Sequence, residues 1–207
     1  GAMVAGRDLS LTATGLDNTR DTLYAARNLA WSNRTATLTN RSGHLGAGGN
    51  TVLALAALEN TSGETAASGN VTLDLGSLVG SGRVVAGNDL ALTLAGNYTN
   101  VAGNTLKANR NATLTFSGNL DNASGATLSA VGALAVKAAG ITNSGTFDSA
   151  ATSLTATGTL ANSGRIEGDT VAITARVMPI TPKLCGPMKV MPNGTCFGNG
   201  LGKGLIV

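Results

Sequence analysis

The stretch "GNLDNASGATLSA", Gly118 to Ala130, carries the pattern on which the fold turns. Its centre, "DNASG" (Asp121 to Gly125), has relatives in "TNRSG" (Thr39 to Gly43), "ENTSG" (Glu59 to Gly63), "TNVAG" (Thr99 to Gly103), "TNSG" (Thr142 to Gly145) and "ANSG" (Ala161 to Gly164). Across the chain the markers Asn18, Asn40, Asn60, Asn100, Asn122, Asn143 and Asn162 are separated by 22, 20, 40, 22, 21 and 19 residues. The interval of 40 reads as two units with one Asn missing, Gly80 of "LVGSG" standing in the vacant place. A fixed period near 20 residues marks a solenoid, in which one unit cannot bury its apolar side chains but stacked units can.

Apolar residues keep a constant offset from the marker. Two positions before it stand Leu16, Leu38, Leu58, Leu78, Tyr98, Leu120, Ile141 and Leu160. Four to six positions after it come Leu23, Leu45, Val85, Leu106, Leu128, Phe147 and Ile166, with Thr65 the weak member, and then Ala25, Ala47, Ala67, Ala86, Ala108, Ala130 and Ala150. Between markers the text alternates with period two, as in "DLALTLA" (Asp89 to Ala95) and "NATLTFSG" (Asn111 to Gly118), which sends successive side chains to opposite faces of a strand. Dense Gly, Asn and Thr without three-four apolar spacing disfavour helix.

These observations predict an all-β parallel β-helix, a solenoid of about eight coils of roughly 20–22 residues. At the strand spacing of ~4.8 Å the rod would be about 40 Å long. Leu16 and its successors would form an inward file. The Asn markers would form either a hydrogen-bonded ladder or a row of exposed turns, with the following Gly supplying a left-handed corner. Residues 1–5, whose "GAM" reads as a cloning remnant, are expected to be a lead-in, 6–175 the repeats and 176–207 a separate tail.

Composition narrows the function. Charged residues are 12% and aromatics 3%, and without the tail the chain carries ten basic against eleven acidic residues. A nucleic-acid binder concentrates a basic face with stacking aromatics, so that role is not expected. No apolar run approaches the roughly 18 residues of a membrane span. His44, the single His, reads as a solvated turn residue without a neighbouring carboxylate. Asp74, Asp89, Asp121, Asp148, Glu167 and Asp169 show no stacked acidic pair in the text, and the glycine-rich calcium nonapeptide is absent, so no catalytic residue, metal or cofactor is expected. Thr-x-Thr at Thr12, Thr35, Thr113 and Thr155 reads as ordinary strand surface.

The tail from Arg176 holds all four Pro, three of four Met, four basic residues and no acid. Cys185 and Cys196 are read as a disulfide pair, with a free thiol or a zinc site as alternatives. The tail is read as a cap or as the start of another domain, and its charge makes it a candidate contact for acidic glycans.

The units "GNDLALTLAGNYTNVAGNTLKA" (Gly87 to Ala108) and "NRNATLTFSGNLDNASGATLSA" (Asn109 to Ala130) resemble the repeats of filamentous hemagglutinins and related two-partner-secretion exoproteins. That resemblance implies a right-handed β-helix in a fibre secreted to a Gram-negative surface through an outer-membrane transporter. It also implies either an adhesin that touches a receptor or glycan on a host or neighbouring cell, or the stalk of a contact-dependent growth inhibition effector. Trp31 stands where the pattern has Leu. A polysaccharide-active β-helix enzyme is the remaining alternative, although units of near-constant length leave little material for a catalytic cleft.

Overall fold

The computed structural model describes residues 1–178 and, beyond them, only the backbone of Lys189–Val190, Cys196–Phe197 and Gly204–Ile206. One coil shows the plan. Thr105–Ala108 lies on a first face, Ala112–Phe116 on a second and Leu120–Asn122 on a third. The next coil repeats them as Thr127–Ala130, Ala133–Ala138 and Ile141–Asn143, each strand parallel to its predecessor. The chain is thus a parallel β-solenoid.

The register stacks like on like. Leu106 pairs with Leu128, Leu114 with Val136 and Leu120 with Ile141. The first face runs through nine strands, from Ala2–Ala5 to Arg165–Glu167, so the solenoid has about nine turns where the marker count gives eight. The extra strand comes from the lead-in, because Ala2–Ala5 pairs with Thr22–Ala25 ahead of the first marker. The second and third faces form one sheet of 14 strands, in which single strands such as Thr51–Glu59 serve both faces. At the far end Gly204–Ile206 pairs in parallel with Thr170–Ala172.

Alternation fills the interior. Leu38, Leu58, Leu120 and Leu160 are fully enclosed, and Leu78, Tyr98 and Ile141 are buried with them; Leu16, in the first turn, is only partly covered. Trp31 fits the file, in register between Leu11 and Leu53, with its indole N–H donating to the Ala13 carbonyl at 3.1 Å. Tyr98 stacks on Phe116 with ring centroids 5.5 Å apart, and Asn104 Nδ2 donates to its phenol oxygen at 3.2 Å. Burial pushes the Tyr98 phenol pKa above its ordinary range.

Two columns differ from the sequence pattern by one residue, which in a strand reverses the side chain. Val84, not Val85, continues the file between Thr65 and Leu106, and Val84 is buried. Ser149 is buried and holds Thr152 by a 2.7 Å hydroxyl contact, while Ala150 is exposed. Thr65, weak as an apolar residue, is fully buried beside Asn60.

Among the described residues no helix is long and apolar enough to cross a membrane. The register correction makes a test. Val84→Ala should lower unfolding free energy by on the order of 1–2 kcal/mol and Val85→Ala by under about 0.5, read from denaturant titrations.

Candidate functional site

The corner joining the third face to the first is where the chain places its most distinctive chemistry. Each marker Asn ends a third-face strand or immediately follows one, and all but Asn162 are buried in the solenoid. Asn18 Nδ2 donates to Asn40 Oδ1 at 2.7 Å, and Asn40 Nδ2 to Asn60 Oδ1 at 2.8 Å. Further along, Asn100 donates to Asn122 at 2.8 Å, Asn122 to Asn143 at 2.7 Å and Asn143 to Asn162 at 2.6 Å. These marker side chains thus bond to one another inside the solenoid and do not line exposed turns. The amide's second hydrogen is also used: Asn18, Asn40 and Asn122 donate to the carbonyls of His44, Glu64 and Thr146 at 3.1, 3.0 and 3.2 Å. A primary amide has two donors and a two-lone-pair acceptor, which is the set a buried corner needs on both sides.

The Gly after the marker has two roles. Gly103 and Gly125 take positive φ, +86° and +79°, as a left-handed corner requires. Gly43 and Gly63 do not; there Ser42 and Ser62 adopt the left-handed backbone, at φ 51° and 53°. Their hydrogen side chains are needed for clearance, since a Cβ on Gly63 would lie 1.9 Å from the Asn40 carbonyl oxygen and 2.7 Å from Asn60 Oδ1. Glycine lets the next coil settle directly onto the amide below it.

The ladder breaks once. With Gly80 in the marker's place there is no side-chain amide to receive Asn60, whose Nδ2 donates to the Arg83 carbonyl at 3.0 Å, and buried Asn100 Oδ1 has no partner. Third-face pairing stops at the same point: Ser77–Val79 pairs with the preceding coil, whereas Tyr98–Asn100 is the terminal strand of the next ladder. Pairing continues unbroken there on the first and second faces.

A second ladder, not recognised in the sequence, lines the corner between the first and second faces. Side-chain oxygens of Asp8, Asn28, Asn50, Asn70, Asp89 and Asn111 each accept a backbone N–H from the following coil, at 2.8–3.2 Å. Its signal was available, an Asn or Asp immediately before the first core residue of six successive second-face strands, from Leu9–Leu11 to Ala112–Phe116, but the richer marker motif masked it. Arg110 fixes Asp89 through Nε at 2.8 Å and Nη2, and this pairing holds the carboxyl near pKa 2, below its ordinary 3.8.

The first face gathers charge. His44, Glu64 and Arg83 occupy one outward column, with His44 Nδ1 3.1 Å from Glu64 Oε2 and Arg83 Nη1 3.6 Å from Glu64 Oε1. His44 therefore has the neighbouring carboxylate that the linear text, with Glu64 twenty residues away, did not reveal. Asp148 and Glu167 are register partners and so do form a stacked acidic pair, Glu167 being held by Arg165. No group of three metal-ligating side chains occurs among the described residues. The disulfide assigned to Cys185 and Cys196 lies outside the described side chains.

Sequence comparison meets the same repeat. The haemagglutinin repeat model matches residues 1–36, 28–93, 66–124 and 78–175, nearly the whole solenoid. The chain belongs to the haemagglutinin repeat family. No curated protein and no solved structure matched it. Haemagglutinin repeats serve structural and adhesin-type roles in secreted surface proteins, and the family is typically non-enzymatic. In these terms the site is a column: the buried amide ladder fixes the coils of the haemagglutinin repeat so that the outer faces present side chains in straight rows.

Two outcomes follow. Asn122→Ala strands a donor on Asn100 and an acceptor on Asn143 and should cost about 1–3 kcal/mol, whereas Asn100→Ala strands only the Asn122 acceptor, its own oxygen being already unpaired, and should cost distinctly less in the same denaturant titration. For Asp89, a lowered folded pKa means stability fully present above the unfolded value of 3.8 and lost as pH falls toward 2. Thermal melts at pH 5 and pH 2 should differ less in Asp89→Asn than in the wild type.

Proposed function

We propose that this chain is a stiff segment of a secreted bacterial surface fibre, which mediates adhesion or carries a distal domain away from the cell. The observation that carries the reading is the unbroken stacking of the first face through nine strands, which makes length from repetition and leaves the outer rows free for contact. Stacking of this kind needs mainly neighbour contacts, so folding can advance coil by coil as an unfolded chain leaves a pore. Export through the outer-membrane transporter of a two-partner system fits that mode of folding. The first face, with its His44–Glu64–Arg83 column, is better equipped than the second to meet a polar receptor or glycan.

The experiment uses the full-length protein on its native cell. Deleting residues 105–145, two whole coils, should preserve secretion while reducing adhesion of the bearing cell to host or neighbouring cells, or shortening the projection of whatever lies beyond. Unchanged adhesion and projection would contradict the proposal. So would reproducible turnover of a polysaccharide by the purified chain.

A further inference from the structure

The three outer faces are not equivalent. From the coil of Thr22–Ala25 to that of Arg165–Glu167, the first face directs His44, Glu64, Arg83, Lys107, Asp148, Arg165 and Glu167 outward. Over the same coils the register-paired positions of the second face direct outward only Ala, Ser, Thr and Val, apart from Asp74 and Lys137, while Arg34 and Arg176 stand exposed at its edge. Depletion of charge is the compositional mark of the centre of a protein interface, and a flat sheet face of small side chains can approach another closely.

The two exceptions carry the argument. Asp74, Thr93, Thr115 and Lys137 are consecutive members of one outward column, so the acid and the base stand equally far from the midpoint between Thr93 and Thr115. We propose that the second face is a self-association surface on which two copies of this chain pack with antiparallel long axes, about a two-fold axis between Thr93 and Thr115. Each Asp74 then faces the partner's Lys137, and the relation repeats in reverse, as an isologous contact requires. A parallel pair would set Asp74 against the partner's Asp74 and Lys137 against the partner's Lys137, so this column favours the antiparallel one, in which Arg34 at the edge comes opposite the partner's Arg176. Arg34, whose guanidinium already grips Asp74 by Nη1 at 3.0 Å, borders the face and leaves that carboxylate between two cations.

Size complementarity follows the same axis. The neighbouring column reads Thr72, Ala91, Thr113, Ala135 in consecutive coils. Reversal places Ala91 against the partner's Thr113 and Thr72 against the partner's Ala135, a small residue opposite a larger one each time. Ala54, one coil beyond Asp74, meets the partner's Thr155, one coil beyond Lys137. All of these side chains are exposed or half-exposed in the single chain. Five strand residues at ~3.3 Å across eight coils at ~4.8 Å give about 650 Å² per copy, or about 1,300 Å² in all, within the range of specific interfaces. The pairing goes beyond the role as a projecting fibre segment and does not depend on which cell is touched; it would let fibres associate laterally.

Sedimentation equilibrium and light scattering on the intact chain test it. The wild type should approach twice the 20.4 kDa of one chain as concentration rises. Asp74→Lys or Lys137→Asp alone brings like charges together across both halves of the contact and should weaken association about tenfold or more. Both substitutions together restore opposite charges and should recover it. Thr113→Arg should abolish association, while Thr127→Arg on the first face should leave it unchanged, with circular dichroism confirming that each variant retains its strands. A wild type that stays monomeric up to about 1 mM overturns the proposal. So does a double variant no better than the single ones, or equal effects of Thr113→Arg and Thr127→Arg.

Discussion

Backbone hydrogen bonding between consecutive coils, held at constant parallel register, is the constraint from which the rest of this molecule derives. A parallel ladder leaves no choice about neighbours: each side chain lies over its counterpart one coil earlier. Inside, that makes continuous files of Leu, Val and Phe, whose burial supplies the hydrophobic stabilisation. Outside, it turns residues twenty places apart into contacts, as His44 and Glu64 show. A substitution therefore acts on a column, and its cost depends on what stands above and below.

Corners are the difficulty in such an architecture, because the backbone must turn while its polar groups stay paired. This chain solves two corners with amides in different ways. At the buried corner, Asn bonds to Asn and to the next strand's carbonyl; at the corner between first and second faces, Asn or Asp oxygens receive backbone N–H groups directly. The break at Gly80 shows the coupling between side chain and backbone. Where the amide is missing, third-face pairing lapses as well and Asn100 Oδ1 goes unpartnered, while the other two faces carry the stack across the gap.

Much of this was legible in the sequence, for a physical reason: parallel stacking converts spatial proximity into a fixed sequence period. The seven Asn markers and the Leu16 to Leu160 file could be read because a burial requirement recurs at the same offset in each coil. What escaped was whatever that offset leaves loose by one residue. Turn lengths vary between coils, so the repeat pattern points to Val85 and Ala150 where the structure buries Val84 and Ser149. The acid pair Asp148 and Glu167 is 19 residues apart in sequence and adjacent in space, a relation visible only once register is known. The steric role of Gly43 and Gly63 was hidden for a different reason: composition does not distinguish a glycine needed for its dihedral from one needed for its missing Cβ.

A solenoid built this way obtains stiffness from repetition and can vary its outer rows with little effect on the core. The charged first face and the nearly uncharged second face are two such rows on one scaffold. The most direct test of the stacking itself is a crystal structure of the chain resolved well enough to orient side-chain amides. Stacking predicts Asn122 Nδ2 donating to Asn143 Oδ1 inside the solenoid, with Asn100 beneath it and no side-chain donor from the Gly80 coil. Asn side chains turned out to water, or coils offset so that Leu120 no longer overlies Ile141, would contradict it.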